Sequence, residues 1–328
     1  MHDTLVYSYV SIVVEQQPST KPMSKTHVMT GATGLIGRHI YRALRDRGDN
    51  VIVLTRNPER AKNRFPDAHR VLLWAPGVAG EWSSAIDEAD CVIHLAGEPI
   101  AEERWTDDYK RRIHDSRILG TRDIVSAMVA AQRKPRVLLS VSAVGYYGNT
   151  GDLEIDETSD AGNDFLATVC RDWEAEALHA AEHGVRVVTP RLGVVLAQDG
   201  GALEKLLTPF KMFAGGPVGN GDQWFPWVHI DDVTGMFLFA IENENVSGAL
   251  NVVSPEVLRN RDFAVALGET LNRPARFSVP AFVVKLALGE FGETLLGGQR
   301  VHPQRVLEHG YTFRYADIHD ALRSLVSV

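Results

Sequence analysis

The sequence predicts an α/β fold, a doubly wound parallel sheet with a smaller C-terminal α+β substrate domain. Three observations predict it. Short apolar runs alternate with helical stretches as far as Thr189. A glycine-spaced segment, Thr30-Gly31-Ala32-Thr33-Gly34-Leu35-Ile36-Gly37, stands where the first run gives way to the first helical stretch. After Arg191 the alternation stops and glycine-rich stretches take over.

In order along the chain, the strand candidates are Thr26–Thr30, Val51–Thr55, Val71–Trp74, Cys91–Leu95, Val137–Ser142 and Val185–Thr189. Helical patterns fall between them at Ile36–Arg47, Asp107–Ala131 and Phe165–Glu182. Strands that alternate with helices pair in parallel, with helices covering both faces. Glycines then cluster at Asp199-Gly200-Gly201 and Gly215–Gly221. A helix at Asp231–Glu242, a strand near Ala249–Val252, a helix at Asp262–Leu271 and three helical patterns in Pro280–Val328 follow. This divides the chain into an N-terminal extension (1–24), a main domain (25–250) with inserted substrate-side segments at about 195–230, and a small domain (251–328). In the extension, Leu5–Val14 is apolar and Gln16–Pro22 reads as a linker. Asp3 stands where a signal peptide needs positive charge, so residues 1–22 read as an extension or upstream start, with an extra strand as the alternative.

Composition narrows the function. Of the 328 residues 45% are hydrophobic, enough for a sizeable core. The net charge is -8 with no basic block, so nucleic acid is not an expected partner. Two distant cysteines, Cys91 and Cys170, make no disulfide framework and fit a reducing cytoplasm. No apolar run reaches the roughly 18 residues of a membrane span. No metal site is expected.

The glycine segment has a strand before it and a helix after it, the context of a Rossmann-type dinucleotide site. Gly31 makes the tight turn, Gly34 lets a pyrophosphate approach, and Gly37 lets the helix pack on the sheet. Thr33, Leu35 and Ile36 lie between them, and the helix N-terminus offers unpaired N–H groups. The next strand ends at Thr55-Arg56. An acid is usual there when the ribose carries a 2′-hydroxyl. Arg56 is a cation suited to a 2′-phosphate, so the expected cofactor is NADP(H). Small residues in Leu95-Ala96-Gly97 suit a ribose against the backbone, and His94 before them reads as structural.

Together these features resemble the extended short-chain dehydrogenase/reductases, and within them the YfcH/SulA-like epimerase family. The resemblance is carried by His94–Ile100, Arg104-Trp105-Thr106, Asp115-Ser116-Arg117 with Gly120-Thr121, Ser142–Gly148, Phe165-Leu166-Ala167 with Trp173-Glu174, Trp227–Asp232 and Gly298–Val301, across about Thr26 to Leu325. It implies that Leu95, Ala96, Arg117 and Val195 also line the cofactor site. It also implies a homodimer paired through helices beside the sheet.

Extended enzymes of this kind carry a Ser/Thr and a Tyr-x-x-x-Lys pair, with a Glu four residues after the Lys. Ser142 stands at the end of the fifth strand, where the hydroxyl is expected. Counting back from Glu174 puts Cys170 at the Lys position and Leu166 at the Tyr position. Leu166 has no proton to give. Tyr146 and Tyr147 can supply a phenol from the loop, or pack on the sheet end; Ser142 and Tyr146 are the catalytic candidates. Arg117 stands where Asn is usual and can replace the Lys as ribose or phosphate partner. On the substrate side, Phe225 and Pro226 occupy places where Arg and Asp hold a nucleotide diphosphate, which argues against a nucleotide sugar. Trp224, Phe225 and Trp227 read equally as an aromatic cleft wall or a seam between domains. His229 reads as a loop anchor, and Arg300 as a partner for an anion or a helix end. Two functions fit: an NADP(H)-dependent oxidoreductase or epimerase on an unknown small substrate, and a non-catalytic NADP(H)-binding regulator.

Overall fold

A computed structural model describes residues 24–326, and the run Leu5–Val14 lies outside the described residues. The chain runs β1 (Thr26–Thr30), α1 (Leu35–Asp46), β2 (Asn50–Thr55), α2 (Pro58–Arg64), β3 (Arg70–Leu73), β4 (Cys91–His94), α3 (Asp107–Ala130), β5 (Val137–Ser140), β6 (Ser142–Ala143), β7 (Glu154–Ile155) and α4 (Phe165–Leu178). It continues β8 (Arg186–Leu192), β9 (Val194–Ala197), β10 (Gly200–Gly201), α5 (Ala202–Lys211), β11 (Trp227–His229), α6 (Ile230–Glu242), β12 (Gly248–Val252), α7 (Asn260–Leu271), α8 (Ala281–Leu288), α9 (Glu290–Leu296), β13 (Arg300–Val301), α10 (Gln304–Glu308) and α11 (Ile318–Leu325).

The main sheet is parallel, in the order β12-β8-β5-β4-β1-β2-β3, with β6 pairing β8 beyond the end of β5. Chain order reverses between β1 and β4, which opens a crevice at the carboxyl ends of those strands. The central strands are apolar on both faces because helices cover both: in β1, residues 27–30 are all buried. Helix α1 turns Ile40, Tyr41 and Leu44 inward at helical spacing. Side-chain caps set where other helices start. Thr106 Oγ1 accepts from Tyr109 N (3.2 Å), and Asp164 accepts from Ala167 N (2.8 Å).

The expected strands appear within a few residues of their predicted ends. The long helix expected at Phe165–Glu182 ends at Leu178 and continues as a 3₁₀ turn, His179–His183. Helix α5 was hidden by Gly200-Gly201 in front of it and Pro209 inside it. Four helices rather than three fill the tail, because Gly289 splits α8 from α9. The tail also adds no separate core. Ile318 and Leu322 of α11 and Phe263 of α7 belong to the same apolar cluster as Met29, Val53 and Ile93 of the sheet.

Candidate functional site

The crevice begins at the loop after β1. Gly31 has φ +69°, and a Cβ there would lie 2.8 Å from the Leu95 carbonyl carbon, so the loop sits directly on the chain leaving β4. A Cβ on Gly37 would lie 2.2 Å from the Gly31 carbonyl oxygen, so only glycine lets α1 pack on this loop. Gly34 differs: its added Cβ would meet only the Gly31 oxygen, at 3.3 Å. Its outer side is clear. Gly34 caps α1 without any side-chain hydrogen bond. The N–H groups of Leu35, Ile36 and Gly37 have no intrahelical acceptor, and the helix dipole places positive charge there. Thr33 is half-buried in the same loop.

One buried hydroxyl holds the two strand ends together. Thr30 Oγ1 accepts from Leu95 N (3.1 Å) and Ala96 N (3.2 Å) and lies 2.8 Å from His94 Nδ1. With both acceptor roles filled, its proton goes to Nδ1. Burial pushes the His94 pKa down to about 4, so the ring is neutral, and its Nε2 has no hydrogen-bond partner among the described residues. His94 is a strut, as its position at a strand end suggested.

The β2 side of the crevice is charged. Arg56, just past β2, has a 75% exposed side chain and one ion pair, to Glu98 at 3.9 Å. Both line an open cleft of about 620 Å³ with Pro76, Ser116 and Leu119. Arg117 is half-buried. Its Nη1 donates to Glu98 O (3.0 Å) and Ile113 O (2.9 Å), and its guanidinium lies over Trp173 and against Gly97. Its Nε and Nη2 hold no hydrogen bond among the described residues, and burial lowers its pKa. Val195 reaches the loop through the β9–β10 hairpin: a Cβ on Gly201 would lie 2.6 Å from Leu35 and 4.0 Å from the Val195 carbonyl. Asp199 of that hairpin pairs with Arg38 of α1 at 2.8 Å. The glycine loop, Leu95–Gly97, Arg56 and Arg117 thus come together at the carboxyl ends of β1, β2 and β4, with the β9–β10 hairpin against Leu35.

The facing helix is different. Leu166 and Cys170 lie 3.4 and 4.0 Å from a Cβ built on Gly145, so they face the end of the sheet. Burial pushes the Cys170 thiol up to about 11. Ser142 Oγ donates to Glu174 Oε1 at 2.6 Å. Glu174 also receives Arg191 Nε and Nη2, both at 2.8 Å, in a two-point ion pair whose side chains are 5% and 8% exposed. Arg191 Nη1 donates to Tyr147 Oη (2.8 Å), and Tyr147 donates to Asn251 Oδ1 (2.6 Å). Asn251 Nδ2 reaches the His302 carbonyl in the tail at 3.0 Å. Ser142 faces inward and its proton is engaged, so it reaches a reacting oxygen only by leaving Glu174. Tyr146 is half-buried, its ring centroid 3.5 Å from the Arg191 guanidinium. Its hydroxyl holds no hydrogen bond among the described residues.

Residues 27–253 match the NAD dependent epimerase/dehydratase family, and 279–325 match a domain of unknown function, DUF1731. The chain belongs to the NAD dependent epimerase/dehydratase family. It is 40% identical over 314 residues to the epimerase family protein SDR39U1 homolog, chloroplastic, of Arabidopsis thaliana, covering 94% of this chain and 88% of that protein. It is 34% identical over 300 residues to the epimerase family protein YfhF of Bacillus subtilis, covering 91% and 97%. The crystal structure of human epimerase family protein SDR39U1 (isoform 2) with NADPH superposes with a TM-score of 0.80 at 32% identity, covering 92% of this chain and 98% of that one.

The remaining candidates sit at the edges of this family site. Trp227 is fully buried and Phe225 packs on Phe263, so both belong to a seam. Trp224 bonds Asp152 (2.9 Å) between the Arg259 and Arg300 guanidiniums. Arg300 pairs with Glu154 at 2.9 Å. His229 Nδ1 accepts from Asp231 N and its Nε2 bonds Ser324, which anchors the start of α6. Among the described residues no group of three or more His, Cys, Asp or Glu is placed to hold a metal, and no helix is long and apolar enough to cross a membrane. Thr30, Glu98 and Arg191 escaped the sequence reading. Only Thr30, between the strand and Gly31, carried a local signal.

Proposed function

We propose that this chain binds NADP(H) in the β1/β4 crevice and acts as an atypical short-chain oxidoreductase or epimerase on a small substrate. One observation carries the reading: the uncapped start of α1 and the exposed Arg56 follow the carboxyl ends of the adjacent parallel strands β1 and β2. The glycine loop has the clearance for a pyrophosphate, and Arg56 is the cation for a 2′-phosphate. Arg117 keeps unengaged donors beside Gly97, where a ribose or phosphate would lie. The NADPH in the human relative supports the same cofactor. Bound NADP(H) would supply hydride exchange at the nicotinamide. Of the chain's own groups, Tyr146 offers the free phenol at the sheet end, with Arg191 against its ring. Both cysteines are free and buried, in keeping with a reducing compartment such as the cytoplasm.

A second reading, a non-catalytic NADP(H)-binding regulator, is favoured by Leu166, Cys170 and the engagement of Ser142 with Glu174. Two measurements decide. In fluorescence titrations NADPH is expected to bind more tightly than NADH, and Arg56→Ala is expected to weaken NADPH about 10- to 100-fold while sparing NADH. Equal binding of the two cofactors by wild type and variant sinks the NADP(H) assignment. NADPH oxidation over a panel of small carbonyls, abolished in Tyr146→Phe, supports the enzyme; its absence across the panel supports the regulator.

A further inference from the structure

The NADP(H) reading leaves one charge unexplained. Glu98 stands 3.9 Å from Arg56, on the cleft where the 2′-phosphate would lie. A carboxylate there repels the phosphate that Arg56 attracts.

The backbone of Glu98 is held in place. Its backbone N–H donates to Ser116 Oγ (3.0 Å) and its carbonyl accepts from Arg117 (3.0 Å), so helix α3 grips the residue from both sides. The chain follows Gly97, itself against the Arg117 guanidinium. Arg56 is the free partner: its side chain is 75% exposed against 23% for Glu98, and no hydrogen bond joins the two. Both other arginines on the cleft are paired, while its remaining carboxylate, Asp115, meets only the His114 imidazole among the described residues. Arg111 binds Asp108, and Arg112 binds Glu103.

We infer that Glu98 is a specificity-determining residue that opposes Arg56 and narrows the preference for NADP(H) over NAD(H). The inference rests on the NADP(H) reading above. With NADP(H), Arg56 swings from Glu98 to the phosphate, and the carboxylate, carried on a backbone that α3 holds, remains as a like charge beside a group carrying about -1.5 to -2. With NAD(H), the same carboxylate is an acceptor for the ribose 2′-hydroxyl, the part an acid commonly plays in this fold. One side chain thus weakens one cofactor and helps the other.

The test is direct binding, with no substrate needed. NADPH and NADH are titrated into wild type, Glu98→Gln, Arg56→Ala and the double variant, following nicotinamide fluorescence. Glu98→Gln keeps the shape and backbone contacts and removes the charge. It is expected to tighten NADPH about five- to tenfold at low ionic strength, with the gain shrinking in salt, and to weaken NADH or leave it unchanged. Arg56→Ala alone is expected to lose NADPH affinity, and adding Glu98→Gln to recover part of it. An unchanged or weaker NADPH affinity in Glu98→Gln, while Arg56→Ala still loses NADPH selectively, overturns the role of Glu98 and leaves the cofactor assignment standing. If Arg56→Ala shows no selective loss of NADPH, the cofactor assignment itself fails, and this inference with it.

Discussion

Two crossovers of this sheet face one crevice, and they are built on opposite principles. The first, β1 to α1, works through backbone. Its loop lies so close to β4 and to its own helix that a methyl group at Gly31 or Gly37 would overlap main-chain atoms. The second, β6 to α4, works through side chains. Its helix turns Leu166 and Cys170 to the sheet end, and its polar groups close into a buried chain from Ser142 through Glu174, Arg191 and Tyr147 to Asn251. A backbone site resists a side chain wherever main chain approaches closely, whereas a side-chain site can exchange its chemistry for packing and keep the fold. The family fold is retained here while the face of α4 turned to the sheet end carries a leucine and a cysteine.

If that contrast holds, the largest effect should come from the second crossover. Arg191→Met leaves Glu174 buried with its charge unpaired. Breaking a buried pair from one side costs about 3–5 kcal/mol, whereas replacing both partners with apolar groups is often close to neutral. Urea denaturation should show Arg191→Met strongly destabilised and the Glu174→Met/Arg191→Met double variant substantially restored. A loss below about 1 kcal/mol in the single variant would mean that packing, not the ion pair, holds this half.

The first crossover should respond less in stability and more in binding. Gly37→Ala pushes a methyl group onto the Gly31 carbonyl, and backbone on both sides leaves little room to relax. Overpacking of this kind costs about 1–3 kcal/mol. The loop must also shift, so NADPH affinity should fall about tenfold or more, because the N–H groups that seat the phosphates move with it. Full NADPH affinity in a folded Gly37→Ala would show that the seat does not depend on this close approach.

The same contrast explains what could be read from the sequence. The first crossover was legible because steric necessity writes glycine at fixed positions between a strand and a helix. Arg56 was legible because it directly follows a strand. Counting back from Glu174 singled out Leu166 and Cys170, and the structure places both against Gly145. What Ser142 does was not. Its partner Glu174 is 32 residues away, and Glu174's partner Arg191 another 17. No local pattern announces a network closed by tertiary packing. Glu98 was quoted for the resemblance, but its meeting with Arg56 depends on how α3 holds the loop after β4. The aromatic run at Trp224–Trp227 looked uniform and divided by depth: Trp227 is core, while Trp224 lies between two arginines.

The smallest effect expected is at Cys170, and it sharpens the contrast most. If α4 has exchanged chemistry for packing, its thiol must be inert. Burial pushes the thiol up to about 11, with the Glu174 carboxylate adding to the rise. The thiolate is the reactive form, so at pH 8 only about one thiol in a thousand is ionised, and that one is out of reach. Cys91, buried in β4, is pushed higher still by the same desolvation. Native protein mixed with an aromatic disulfide reagent at pH 8 should release colour only as fast as it unfolds, and both thiols should react at once in denaturant. Cys170→Ala should cost about 1 kcal/mol from lost packing and leave NADPH affinity within about twofold. Fast labelling of native Cys170 that NADPH prevents would reverse the conclusion: the second crossover would then hold a reactive group at the cofactor, and the Lys position would have changed its chemistry rather than lost it.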